Sequence, residues 1–171
     1  MKQLTTYLNE DFKISKDTKI IKEFPKNIGE LYTIISNRYD ESPKHLDLTD
    51  IDVSNIDTFY YNSLRDEYIG LFQDCRATIT IDITGWNTSR VTSMEKMFLR
   101  CYDLTEIKGL ENIDVSSVKN FNQMFFDCKS LHFNNLENWK VKESAEMNNM
   151  FGGCKPDYIK IPTWYVAVRM K

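Results

Sequence analysis

One phrase is written three times along this chain, and the repeat limits its fold more than any other feature. In each copy a phenylalanine is followed three residues later by a cysteine, and the phenylalanines recur at intervals of 27 and 26 residues. The copies occupy residues 86–101, 113–128 and 139–154. Phe72 and Cys75 follow the same rule one period earlier. A fixed period of about 20 to 50 residues predicts stacked units that share a core, since one unit alone cannot bury its apolar face.

Apolar residues within each unit recur at positions i, i+3, i+4 and i+7, which is the spacing of one side of a helix. The first copy has Met94, Met97, Phe98 and Cys101, and the later copies have Phe121, Met124, Phe125, Cys128 and Met147, Met150, Phe151, Cys154. Thr92 and Glu95 have the spacing of a capping box, and Ser54, Ser89 and Ser116 sit just before their predicted helices. Each unit is therefore predicted to contain one short helix whose apolar side points inward.

Short β-like pieces separate these predicted helices. They lie at residues 79–83, 104–107, 131–133 and 159–161. Each unit is thus predicted to pair one short strand with one short helix. Strands stack at about 4.8 Å and helices at roughly 8 to 10 Å, so the array should bend with its strands on the concave side.

The phrase Trp-x-x-Ser-x-Val-x-x-Met-x-x-Met-Phe-x-x-Cys begins at Trp86 and recurs with Ile113 in place of the tryptophan. It resembles the BspA-like leucine-rich repeat, a family found in bacterial surface proteins, in some protozoa and in gut bacteriophages. The resemblance covers about residues 46–161. It implies an α/β fold, namely a short leucine-rich-repeat-like solenoid of about four strand–helix repeats with an N-terminal helical cap.

Length and composition predict one globular domain, because 171 residues with 42% hydrophobic content supply enough material for a core. We expect three parts: a helical cap over residues 1–45, the repeats over residues 46–161 and a C-terminal cap over residues 162–171. The cap contains an apolar helical pattern that ends at Ser42 and Pro43. This pattern consists of Ile28, Leu31, Ile34 and Ile35.

Both ends of the chain resemble those of phage-encoded proteins. Leu-x-Glu at residues 8–10 is similar to the cleavage signal of capsid-targeting peptides in tailed phages, so residues 1–10 are a candidate targeting peptide. The alternative for this segment is a small amphipathic helix that packs on the first unit. Ile-Pro-x-Trp-Tyr at residues 161–165 resembles the end of phage-encoded members of the family. The resemblance implies a phage-encoded protein.

Charge and hydropathy limit which classes of partner and which locations are compatible with the sequence. The net charge of −3 argues against a nucleic-acid binder, which needs a basic face to release counterions from phosphates. The sequence has no apolar run of about 18 residues that could span a membrane, and residues 1–20 lack the apolar stretch of a secretory signal. We therefore expect a protein of the virion or of the host cytoplasm.

All four cysteines hold the same inward-facing position of the repeat, which predicts a ladder of buried thiols, because a free cysteine behaves as a small hydrophobe. Neighbouring cysteines could pair only with Cα atoms about 5.5 to 6 Å apart, which the spacing of stacked helices opposes. A zinc site is disfavoured, since Cys-x-x-Cys is missing and the two histidines, His45 and His132, lie in other contexts. We predict no metal and no cofactor.

An insertion interrupts the repeat between Phe59 and Ile69, where nine residues exceed the period. Insertions in repeat arrays form protruding loops or longer helices, often on the binding face. Tyrosine and arginine are typical of interface hot spots. The insertion thus supplies four candidate partner-binding residues, Tyr60, Tyr61, Arg65 and Tyr68. The alternative is that these rings pack against the N-terminal cap.

Alternation along the predicted strands places a second set of polar residues on the exposed strand face. A partner on the concave side would touch them. The candidates are Asp47, Thr80, Thr105, His132 and Lys160, with Asp82 beside them.

The function that the sequence favours is non-enzymatic protein–protein interaction, by a phage-encoded protein that is virion-associated or directed at a bacterial host protein. No catalytic triad spacing and no glycine-rich phosphate loop is evident, so no catalytic residue is predicted. Two alternatives stay open, a bacterial surface adhesin or host-attachment module and an inhibitor of a bacterial defence system. The sequence leaves the oligomeric state and the identity of the partner open.

Overall fold

A computed structural model describes residues 22–62, 68–132, 136–155, 157–158 and 160–169. Its elements in chain order are helix α1 (Ile28–Glu41), strands β1 (His45–Asp47), β2 (Tyr60–Asn62), β3 (Tyr68–Gly70), β4 (Thr80–Asp82) and β5 (Glu106–Lys108), a 3-10 turn (Leu110–Asn112) and helix α2 (Thr163–Arg169). Strands β1, β4 and β5 form a parallel sheet in the order β1-β4-β5, and β2 pairs antiparallel with β3. The candidate targeting peptide, residues 1–10, lies outside the described residues.

The helix predicted near residue 28 is confirmed as α1. The Asn27 side chain caps its start by accepting a hydrogen bond from the Glu30 N–H over 3.0 Å, and Ser42 caps its end. Leu31 and Ile35 are buried beneath it. The apolar face of α1 therefore covers one side of the core, while the domain boundaries proposed at residues 45 and 161 stay predictions.

The parallel sheet is built around one buried residue in each strand. Leu46, Ile81 and Ile107 stand opposite one another in register and point into the core. The residues on either side of them face outward. The strand predicted at residues 79–83 is confirmed as β4, whereas β5 begins two residues later than the predicted segment 104–107.

The predicted fold class, a leucine-rich-repeat-like solenoid of about four strand–helix repeats with an N-terminal helical cap, is wrong. Over the described residues the structure is a small mixed fold of short strands and two helices, and no solenoid of repeats is seen there. Neither helix lies in a repeat unit, since α1 precedes the units and α2 follows them. Of the predicted later strands, residues 131–132 and 160–161 are irregular, and residues 133 and 159 lie outside the described part.

Backbone hydrogen bonding explains why the apolar pattern produces no helices in the units. We call residues 71–75, 94–101, 121–128 and 147–154 the turn segments. The Met94 N–H donates to the Asn120 carbonyl over 2.9 Å, and every second N–H up to residue 100 likewise donates to the next segment. An α-helix would use these groups four residues back along the chain. Lys96 and Arg100 also have φ of 55° and 59°, which an α-helix does not contain.

The side chains predicted to face inward do so even without helices, and only Cys75 and Cys154 among them are half-buried. Their phenylalanine rings form a stacked column with centroid separations of 5.2, 5.5 and 5.5 Å between Phe72, Phe98, Phe125 and Phe151. Tyr165 of α2 meets the last ring edge-on at 5.0 Å. The column is thus the central part of the core, and α2 covers its end.

Three tryptophans tie later parts of the chain to earlier ones. The Trp86 indole N–H donates to the Leu48 carbonyl over 2.9 Å, and the Trp139 indole N–H donates to the Leu110 carbonyl over 3.1 Å. Trp164 of α2 makes the equivalent bond of 2.8 Å to a carbonyl 28 residues earlier. Each indole therefore fills apolar space and satisfies its own N–H and one buried carbonyl.

The serines that were expected to cap helices close tight turns instead. The Ser116 N–H donates to the Asp114 carboxylate over 2.9 Å, and Asp52 and Ser54 make the same contact. These hydrogen bonds from the serines lower the pKa of Asp52 and Asp114. Such turns redirect the chain between the sheet and the turn segments.

Arg38 clamps α1 to the first strand. Its guanidinium donates to both carboxylate oxygens of Asp50, over 2.6 and 2.8 Å, and to the Asp47 carbonyl over 2.7 Å. It also pairs with Glu23, whose backbone bonds with residues 50 and 52. The hydrogen bond from Arg38 lowers the pKa of Asp50, and it raises the pKa of Arg38 itself. The clamp therefore contributes stability while Asp50 is ionised.

Removing a ring from the middle of the column should destabilise the whole fold. Phe98→Ala is expected to lower the free energy of unfolding by about 3 to 5 kcal/mol, since the ring is fully buried between two others. Phe24→Ala, at a ring that is 64% exposed, is the matched control and should cost less than about 1 kcal/mol. Urea titration followed by circular dichroism measures both, and equal losses would contradict the column's central role.

The Arg38 clamp predicts a pH-dependent loss of stability. The folded-state pKa of Asp50 is lowered, so its contribution is complete above the unfolded pKa near 4 and is lost as the pH falls through the folded value. Asp50→Asn should therefore lower the free energy of unfolding by about 1 kcal/mol at neutral pH and by almost nothing at a pH low enough to protonate Asp50 in the folded protein. The exposed Asp57→Asn is the control. A cost that stays constant down to pH 2 in thermal melts would refute the assignment.

Candidate functional site

The two ends of the insertion, residues 60–62 and 68, lie in the antiparallel strand pair of β2 and β3, and residues 63–67 lie outside the described part of the chain. Tyr60 stands opposite Gly70, and Asn62 stands opposite Tyr68. Arg65, the charged residue of the predicted partner-binding set, lies outside the described residues. The three tyrosines are described, and the register of the two strands decides where each ring goes.

Tyr61 packs inward against the helix. Its ring stacks on Tyr32 of α1 with centroids 5.3 Å apart and an interplanar angle of 11°. The alternative that the rings pack against the N-terminal region is therefore confirmed for Tyr61. This ring serves to fix strand β2 on α1.

Tyr60 and Tyr68 form a second stack on the other face of the strand pair. Their centroids are 5.0 Å apart, their rings are nearly parallel, and Tyr68 is 53% exposed. The Lys96 ammonium lies 5.9 Å from the centroid of Tyr60. Burial raises the pKa of Tyr60. We call Tyr60, Tyr68 and Lys96 the hairpin surface.

Gly70 seats the strand pair on the second turn segment. A Cβ atom at Gly70 would lie 1.9 Å from the Lys96 carbonyl oxygen, so only glycine permits this approach of two backbones. The Leu71 N–H then donates to the Phe59 carbonyl over 3.0 Å. The hairpin surface is thus held from both sides, by α1 and by the turn segment.

The exposed face of the parallel sheet, which we call the sheet face, contains some of the predicted residues and three that were missed, His45, Glu106 and Lys108. It consists of His45, Asp47, Thr80, Asp82, Glu106 and Lys108. Thr105 is half-buried, and its hydroxyl donates to the Ile79 carbonyl over 3.1 Å. Aligning Ile107 with Ile81 as the buried centre of its strand would have found Glu106 and Lys108.

Polar groups on the sheet face are engaged with close neighbours. His45 Nδ1 lies 2.9 Å from the Thr80 hydroxyl. Asp47 accepts hydrogen bonds from the N–H and the hydroxyl of Thr49, over 3.1 and 2.8 Å. Asp82 accepts the Thr84 N–H over 3.0 Å. The first contact joins β1 to β4, and the other contacts stabilise the turns that follow these strands.

The last two predicted residues are His132 and Lys160. The His132 ring packs against Tyr158 with centroids 4.4 Å apart, and the backbone N–H of His132 donates to the Thr105 carbonyl over 3.1 Å. Lys160 is exposed. These residues and the hairpin surface belong to different parts of the fold, so the candidates form two separate groups rather than one site.

A cavity of about 280 Å³ lies between α1 and the first turn segment, and the sequence did not predict it. Tyr32, Ser36, Tyr39 and Asp40 line it from the helix, and Cys75 lines it from the other side. Its formation depends on how α1 packs on the turn segment, which no sequence pattern specifies.

The four cysteines are free thiols, of which Cys101 and Cys128 are buried and Cys75 and Cys154 half-buried. Three of them donate Sγ–H to carbonyls 29 or 30 residues earlier, over 2.9 to 3.0 Å. Burial raises the pKa of Cys75 to about 12 and that of Cys154 to about 11, and it raises the other two as well. Among the described residues, no three His, Cys, Asp or Glu side chains lie close enough together to hold a metal ion.

Comparison with known proteins identifies the family. A family model described as "Mycoplasma protein of unknown function, DUF285" matches residues 67–169. The chain belongs to this family, which agrees with the BspA-like resemblance of the repeat phrase. No curated protein and no solved structure matches the chain. Neither helix in the described part of the chain has the length and apolarity needed to cross a membrane.

The buried thiols predict slow alkylation. A raised pKa lowers the thiolate fraction at any given pH, and the thiolate is the reactive form. At pH 8 iodoacetamide should label Cys101 and Cys128 far more slowly than the half-buried pair, and all four should react rapidly in urea. The labelling rate of Cys75 should still be rising above pH 10. Mass spectrometry of timed samples measures this, and native labelling of Cys101 at the unfolded rate would contradict it.

Proposed function

We propose that this chain is a non-enzymatic protein-binding module whose contact region is the hairpin surface. One observation carries the proposal: Tyr60 and Tyr68 stack with their ring centroids 5.0 Å apart, and Tyr68 is 53% exposed. Exposed aromatic rings are the usual hot spots of protein interfaces. A ring that is already fixed loses little conformational entropy on binding.

Lys96 adds polarity to the same surface. Its ammonium lies near the Tyr60 ring, while its alkyl chain starts at the backbone that contacts Gly70. An aromatic pair with one adjacent cation suits a partner that presents an apolar side chain next to a carboxylate or a carbonyl. Tyr61, which packs on α1, supports this surface without contacting the partner.

The partner that we propose is a protein of a phage virion or of its bacterial host, and the chain itself would be phage-encoded. Support comes from the Ile-Pro-x-Trp-Tyr phrase at residues 161–165, which resembles phage-encoded members of the family. Trp164 and Tyr165 of this phrase pack on the end of the core. The virion or the host cytoplasm is the location that fits this partner.

The test compares two exposed aromatic residues. Tagged full-length protein is incubated with purified virions and, separately, with lysate of the source bacterium, and retained proteins are quantified by mass spectrometry. Tyr68→Ala should reduce retention of the specific partner by roughly tenfold or more, because truncation of a hot-spot ring removes a large share of the binding energy. Phe24→Ala, which truncates an aromatic side chain that is 64% exposed, should leave retention unchanged.

Folding is checked in parallel. Tyr68→Ala should change the unfolding free energy by less than about 1 kcal/mol, since more than half of the ring is already exposed. Tyr68→Phe should keep most of the retention. Equal retention by wild type and Tyr68→Ala of every captured protein would refute the hairpin surface as the contact region.

A further inference from the structure

The cavity between α1 and the first turn segment, which we call the helix cavity, has an apolar floor and a polar rim. Ile35 of α1 and Leu71 of the turn segment line it and belong to the buried core. Asp40 lines it as well and is exposed, while Tyr32 and Ser36 are half-buried. The helix cavity therefore leads from the solvent to the hydrophobic core.

Most polar groups that line the helix cavity are not used by the fold. Five of them have no hydrogen-bond partner in the described part of the chain, namely the hydroxyls of Tyr32, Ser36 and Tyr39, the Asp40 carboxylate and the Cys75 thiol. The other three repeat cysteines, by contrast, donate to backbone carbonyls. The helix cavity thus brings together hydroxyl groups that both donate and accept, a carboxylate that accepts and a thiol that donates.

The charges around the helix cavity balance one another. Asp74, the second acid of its lining, pairs with Arg76 over 3.0 Å and with Arg100 over 2.7 Å. The two guanidiniums together offset the charges of Asp74 and Asp40. Neither an anion nor a cation therefore gains much from the charges of this region, and a neutral ligand is favoured.

The unpaired groups favour a ligand with several hydroxyl groups over one with a single polar group. A ligand that displaces water from polar groups has to reproduce the hydrogen bonds of that water. An apolar ligand would leave all five groups without partners, and a simple amine would satisfy Asp40 alone. Adjacent hydroxyls on a ring can donate to both oxygens of one carboxylate and also pair with the surrounding hydroxyl groups.

We infer that the helix cavity binds a neutral sugar residue. Its volume of about 280 Å³ lies just below the range of about 300 to 1,000 Å³ that is usual for ligand pockets, which suits a single pyranose ring. The hydroxyls of the ring pair with the groups at the rim, and its C–H groups contact Ile35 and Leu71. This site goes beyond the protein binding proposed for the hairpin surface.

The experiment titrates the full chain with four probes, the methyl glycosides of glucose, galactose, mannose and N-acetylglucosamine. Saturation-transfer NMR at neutral pH detects binding and gives the Kd. Cyclohexanol and cyclohexylamine are the control probes, because each has a six-membered ring with only one polar group. At least one glycoside should bind, and both controls should bind about tenfold more weakly or not at all, since they leave most of the polar groups unpaired.

Two pairs of variants on α1 test the site. Asp40→Asn should weaken binding about tenfold, because it removes a charge-assisted hydrogen bond, whereas Glu41→Gln removes the same charge next to the site and should change the affinity less than about twofold. Ser36→Leu should weaken binding at least about tenfold by filling the helix cavity, and Asn37→Leu adds the same side chain at an exposed position as its control. Circular dichroism checks that each variant is folded, and the first pair decides the outcome if Ser36→Leu is not.

The Cys75 thiol reports where the glycoside binds. At a glycoside concentration of ten times the Kd, alkylation of Cys75 by iodoacetamide should slow about tenfold, because only the small unliganded fraction reacts. Cys154, the other half-buried thiol, lies in the last turn segment, and its rate should not change. Absence of binding by all four glycosides, tighter binding of either control probe, equal losses in D40N and E41Q, or an unchanged rate at Cys75 would each overturn the proposal.

Discussion

Amide-to-carbonyl hydrogen bonds between successive turn segments are the constraint on which the rest of this structure depends. Each joins residues 25 or 26 apart, as from Phe98 to Met124 and from Phe125 to Met150. They bring equivalent residues of successive units into register, so the phenylalanine rings stack with nearly parallel planes. The cysteine thiols reach carbonyls of the preceding unit for the same reason. The backbone pairing therefore aligns the phenylalanine column, and the burial of the column in turn stabilises the backbone pairing.

The sequence predicted which residues are buried better than it predicted the backbone structure that buries them. The inward-facing positions followed from the spacing of Met94, Met97, Phe98 and Cys101, and their burial agrees. The predicted helix was wrong, because a helix is not the only structure with this spacing. Consecutive turns with a left-handed residue every four positions also place residues i, i+3, i+4 and i+7 on one side. Lys96 and Arg100 occupy those left-handed positions without the glycine that would have signalled them, whereas Gly153 in the last unit does signal it.

The sequence predicted several residues of the candidate surfaces, but it did not predict which of their side chains are exposed. The insertion was located from the period, but the pairing of its two strands sends Tyr61 to α1 and leaves Tyr68 exposed. No sequence pattern specifies that register, which depends on Gly70 fitting against the backbone of another unit. On the parallel sheet an offset of one residue exchanged Thr105 for Glu106 as the outward side chain.

The turn segments have a further electrical consequence. In an ordinary parallel sheet, the peptide groups of one strand point alternately to its two neighbours. Here the amides of Met94, Lys96, Phe98 and Arg100 all point toward the later unit, and the amides of the next segment do the same. Peptide dipoles aligned in this way add up. The aligned peptide dipoles of the turn segments therefore have their positive ends toward the C-terminal unit.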